Sequence, residues 1–127
     1  MATRSFIGIL NSDDSVTGVY CHWDGYPDGV GQVLAEHYTD RPRVIELIEL
    51  GNLSTLGPRI TPEPGVDHSF NNPAPGVTVA YGRDRGEKNT EAHTYRSISD
   101  LQRNVRNDFG AEYTYVMNHN GDWNTYT

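Results

Sequence analysis

Apolar and polar positions along this chain fall into short blocks, and each block predicts an element. Ser5–Leu10 (Ser-Phe-Ile-Gly-Ile-Leu) reads as a strand, Asn11–Ser15 as a turn cluster, and Val16–His22 as a second strand pairing with the first in an antiparallel hairpin. After Gly29 the period lengthens. Val30, Val33, Leu34 and Tyr38 lie on one face of a helix over Gly29–Tyr38. Thr39 or Asp40 caps a second helix with Pro42 in its first turn, a buried face of Val44, Ile45, Leu47 and Ile48, and Gly51 at its end. Leu53 and Leu56 continue the packing in a short irregular segment.

Residues 57–76 hold Pro58, Pro62, Pro64, Pro73 and Pro75 and read as one long loop, either functional or mobile. Val77–Tyr81 is a strand, Gly82–Asn89 a charged turn and Ala92–Arg96 a further strand. Ser97 or Ser99 caps a helix running to about Asp108 over Ile98, Leu101 and Val105. Glu112–Asn118 and Trp123–Tyr126 form a hairpin around Asn120-Gly121, a type I′ signal that sets Tyr115 opposite Tyr126. The pattern predicts a single α+β domain over residues 1–127: an antiparallel sheet of five or six strands with about three helices packed on one face.

Composition sharpens this picture. The hydrophobic fraction is 35%, and Tyr supplies eight aromatic residues against three Phe and two Trp, which suits surfaces that stack and hydrogen-bond. Net charge is −7, unevenly spread: residues 1–40 carry six carboxylates against Arg4 alone. That half repels phosphate, so nucleic acid is disfavoured as a partner. Residues 83–108 are the only locally basic stretch, and bases interrupt the acidic runs that DNA mimicry would need. A single cysteine excludes an internal disulfide and fits a reducing cytosol. No apolar run approaches a membrane span, and the first residues lack a signal h-region, so a soluble, cytoplasmic protein is expected.

Candidate chemistry concentrates in one run, Tyr20-Cys21-His22-Trp23-Asp24-Gly25-Tyr26-Pro27. Cys21, His22, Asp24 and His37 are metal ligands by type, but adjacent residues on a strand point opposite ways, and no metal or other cofactor is predicted. The same alternation keeps Cys21 from His22, so Cys21 reads as a buried, inert thiol. Gly25 and Pro27 make a turn. Gly29-Val30-Gly31 opens a helix whose amides could attract an anion, but Asp28 adjoins it and reads instead as its cap. His22, Trp23, Asp24 and Tyr26 remain as candidate ligand- or partner-binding residues. Arg83 and Arg85, in Gly82-Arg83-Asp84-Arg85-Gly86, are candidate anion clamps expected to face that corner.

Thr3-Arg4-Ser5, Val19–Pro27, Gly31, Leu34, His37-Tyr38, Leu50–Ser54 and Ala80–Glu87, followed by a Trp-containing C-terminal hairpin, resemble a family of small phage and prophage proteins carrying a Tyr-Cys-His-Trp-Asp-Gly-Tyr-Pro type motif. The resemblance carries no catalytic residue. It implies phage origin and a role in host takeover, with the host bacterium's cytoplasm as the site of action.

Three functional classes follow. The first is a non-enzymatic accessory protein that inhibits a host defence component, either by docking on a host protein or by sequestering a small nucleotide-like molecule. The second is a small hydrolase or nucleotide-modifying enzyme using His22 and Asp24 as acid and base with Arg83 or Arg85 as clamp. The third is a nucleic-acid binder through residues 83–106. A flat Trp/Tyr patch at the corner favours a protein partner, and a concave one a ligand. Homo-oligomerisation is left open by the sequence.

Overall fold

The computed structural model describes residues 2–127, which form an α+β fold built on one mixed sheet. Strand β1 (Ser5–Leu10) is central. It pairs antiparallel with β2 (Val16–Cys21), from Ser5 opposite Cys21 to Leu10 opposite Val16. On its other side it pairs parallel with β6 (Tyr113–Met117), which continues antiparallel into β7 (Trp123–Tyr126). The outer side of β2 is shared. Val16–Gly18 pair antiparallel with β5 (His93–Tyr95), and Cys21 pairs parallel with Leu53 of β3 (Leu53–Thr55). The two-residue β4 (Val79–Ala80) closes that edge.

The sheet therefore has seven strands and is not wholly antiparallel. One cause is the helical pair α1 (Gln32–His37) and α2 (Arg41–Glu49), which carries the chain from the end of β2 round to enter β3 beside Cys21. A strand entered through such a crossover runs parallel to the one before it. Leu53–Thr55, expected to be irregular, is that strand.

The helices also divide between the two faces instead of sharing one. Alternation along β1 sends Ile7 and Ile9 to one side, where they meet Val19, Leu34, Tyr38, Val44 and Leu47 beneath α1 and α2. Phe6 points to the other side and packs with Val16, Tyr95, Leu101, Val105 and Val116 under α4 (Ile98–Phe109). Where β1 and β2 pass closest, Gly8 faces Gly18 and the Phe6 ring lies across them. A Cβ on Gly18 would stand 2.5 Å from that ring and collide with the Ile7 carbonyl.

The capping signals hold where they are local. Asp40 accepts from the Arg43 amide at 2.8 Å, and Ser97 from the Asp100 amide at 3.1 Å. Asp28 does not cap: a wide π-helical turn over Pro27–Gly31 precedes α1, with Tyr26 in the cap position and no side-chain bond. The C-terminal hairpin is longer than a type I′ turn. The Asn118 side chain accepts from the Asn120 and Asp122 amides, only Gly121 takes a left-handed φ (+85°), and the added residues slide the register. Tyr115 consequently faces Thr125, and Tyr126 faces Thr114.

The Pro-rich segment is tied down along its length. Gly57 O accepts from the buried Tyr38 hydroxyl at 2.7 Å, Pro58 O from Arg43 and Ile60 O from Arg83. His68, nearly sealed from solvent, accepts from the Ala74 amide through Nδ1, which leaves its proton on Nε2, 3.2 Å from Asp84 Oδ2. Among the described residues no helix is long and apolar enough to cross a membrane.

Candidate functional site

The dense run lies where β2 leaves the sheet. His22 and Trp23 continue the pairing with β3, their amides donating to Leu53 O and Ser54 O at 3.0 Å each. Asp24 then turns the chain with a left-handed φ of +58°, a conformation Asp tolerates better than most residues. Its carbonyl accepts from the Val30 amide at 2.8 Å, and Gly25 O accepts from the buried Tyr115 hydroxyl at 2.7 Å. These bonds fix the corner against β6 and the π-helical turn, a rare element that recurs at functional sites.

On this frame the side chains separate by role. Cys21 is completely buried, and burial pushes its thiol up to about 12, so it is neither nucleophile nor ligand. His22 Nδ1 shares a 2.5 Å hydrogen bond with the Tyr20 hydroxyl, and its ring meets Trp23 edge-on with centroids 4.7 Å apart. The Tyr20 hydroxyl is itself held above its ordinary range, chiefly by burial, against the opposing pull of Arg4. Tyr26 donates to Asp24 Oδ1 at 3.2 Å; that carboxylate is also the main cause of the raised Tyr26 hydroxyl. Trp23 and Tyr26 stay exposed, at 43% and 42%.

The arginines do not join this corner. Gly82-Arg83-Asp84 is helical, within the single turn α3 (Tyr81–Arg85), and Arg83 points back into the Pro-rich segment. It donates to Ile60 O at 2.7 Å, to Thr78 O at 2.8 Å and to Asp84. Burial alone would raise the Asp84 carboxyl. Arg83, the Ala80 amide and His68 outweigh it and hold the group below the usual carboxylate range. Arg85 sits over the Phe70 ring at 4.8 Å and 3.9 Å from Glu87. Each member of the proposed acid–base–clamp set thus has its own separate partner, and the hydrogen-bond reach that proton transfer needs is not met between them. Among the described residues no group of three His, Cys, Asp or Glu side chains is placed to hold a metal.

The sequence reading missed a cleft of about 760 Å³ between α2 and the 87–92 segment. Ile45, expected in the core by helical spacing, is 45% exposed at its wall, while Ile9 and Ile48 lie buried at its base. The only sequence signal for it is that the apolar stripe of α2 is one residue wider than the sheet beneath it can cover. None of His22, Trp23, Asp24 or Tyr26 lines this cleft.

Comparison with protein-family profiles, with curated proteins and with solved structures finds no match to this chain.

Proposed function

We propose that this protein is a non-catalytic binding protein that docks on another protein through the corner at Trp23, Asp24 and Tyr26. The observation that carries the reading is the pair of aromatic rings left more than two-fifths exposed on a turn held by the Gly25–Thr3, Val30–Asp24 and Tyr115–Gly25 hydrogen bonds. A rigid Trp/Tyr pair beside a carboxylate is the composition of an interface hot spot, and holding it rigid lowers the entropy cost of association. The corner stands outside the cleft, which favours a protein partner over a sequestered nucleotide-like molecule. The resemblance to small phage proteins supplies the setting: a host protein, in particular a defence component, as the target. The enzyme reading is weaker, because His22 and Asp24 are each held by a neighbouring tyrosine and Arg83 by backbone carbonyls.

The test is quantitative capture from bacterial lysate with the tagged chain, followed by analysis of retained proteins and metabolites. One protein retained near equimolar ratio, and lost on joint Trp23→Ala and Tyr26→Ala substitution, is the expected result. Both side chains are exposed, so the double variant keeps its fold. Retention of a metabolite alone, or of nothing, overturns the docking reading. Substrate turnover abolished by His22→Ala moves the protein to the enzyme class.

A further inference from the structure

The geometry points to a second docking site: the cleft beside Ile45 receives a basic, amphipathic segment of a partner protein. Its base and wall are apolar, formed by Ile48, Ile45 and Ala92, and its volume is large enough for more than one side chain. An exposed isoleucine on a helix that otherwise buries its apolar stripe marks surface left for something else to cover.

Charge selects the occupant. Glu49, Glu87 and Glu91 line the cleft, all three exposed. Glu49 and Glu91 are paired with no cation among the described residues, and Glu87 has only Arg85 at 3.9 Å. The one cation in the lining, Arg83, is directed to Ile60 O, Thr78 O and Asp84 and does not neutralise them. An apolar floor ringed by carboxylates, on a chain of net charge −7, repels nucleic acid and a second copy of itself. It complements apolar side chains flanked by Lys or Arg, the pattern of a helix or strand laid in a groove. A neutral apolar metabolite would leave the carboxylates unanswered. The site is separate from the Trp23 corner, and either can fail without the other.

The experiment uses the full chain, labelled with ¹⁵N, and three probes. The first is a short synthetic peptide with leucines at helical spacing and Lys or Arg elsewhere. The second has the same charge with serine for leucine. The third is hexylamine. Expected results are amide shifts confined to Ile45–Leu50 and residues 87–92, and binding by the serine peptide weaker by about tenfold or more. Ile45→Ser and the pair Glu49→Gln with Glu91→Gln should each cut affinity by roughly tenfold, while Trp23→Ala leaves it unchanged. Because all four altered positions are exposed, the variants should melt like the parent. Equal binding of the serine peptide, shifts spread over the acidic residues 13–40, or unchanged affinity in Ile45→Ser overturns the assignment. Hexylamine binding as tightly as the leucine peptide reassigns the cleft to a small cation. Self-association that disappears in Ile45→Ser reassigns it to a second copy.

Discussion

The Cys21 thiol lies in the core cluster with Ile7, Val19 and Leu53, its Sγ donating to the Trp23 and Ser54 carbonyls at 3.7 and 4.0 Å. Pushed up to about 12, it carries almost no thiolate near neutral pH. Native protein is therefore expected to resist a disulfide-exchange reagent at about pH 8 and to react only as fast as it unfolds; modification at the rate of a free thiol would contradict the burial. The same burial has an alkaline consequence. Cys21, Tyr95 and Tyr115 all have raised native values, chiefly through burial, so the folded chain holds protons that the unfolded chain releases. Stability should then fall as pH rises above about 9–10, where the unfolded groups begin to ionise. Denaturant midpoints across that range check the sign. Gly18 is a backbone case at the same scale. Gly18→Ala forces the Phe6 ring and the Ile7 carbonyl apart, and a loss of about 1–3 kcal/mol is expected in urea unfolding.

At the scale of elements, the Pro-rich segment and α3 behave as one unit because Arg83 and His68 join them through Asp84. Arg83→Lys keeps the charge but cannot reach two carbonyls and a carboxylate with one ammonium. It should cost about 1.5–3 kcal/mol and expose the amides of residues 57–78 to hydrogen exchange ahead of the sheet. Exchange that stays uniform would show that the segment is held without Arg83. Because the Asp84 value is depressed in the folded chain, its contribution is present above the ordinary carboxylate range and is lost as pH falls through the lower native value. None of this was legible in the sequence, where Arg83 reads as a surface clamp: its partner Ile60 lies in a loop whose path only the fold defines. The capped helices were legible, since Asp40 and Ser97 act on amides three residues away. Strand direction was not, because hydrophobic alternation is the same for parallel and antiparallel pairing. The corner itself was found by its density of His, Trp, Asp and Tyr, while the cleft escaped because Ile45 has the spacing of a core residue.

The molecule as a whole is two cores divided by one sheet, and β1 belongs to both: Ile7 and Ile9 on one side, Phe6 on the other. Neither core can be lost without unpairing the strand that holds β2 and β6 in place. That argues for one cooperative unfolding transition, as is usual at this chain length. Leu47 beneath the first core and Leu101 beneath the second are both fully buried, so truncation of either leaves a cavity. Leu47→Ala and Leu101→Ala are each expected to lower global stability by about 2–5 kcal/mol. Two probes separate global from local loss. Far-ultraviolet dichroism follows all helices, whereas in a Trp23→Phe background the fluorescence of Trp123, whose indole N–H donates to Tyr38 O at 2.9 Å, reports the first core. In Leu101→Ala the two transitions should still coincide, although α4 lies on the opposite face from Trp123. If dichroism falls first while Trp123 fluorescence holds, α4 is an independently melting layer, and the shared strand does not couple the two faces.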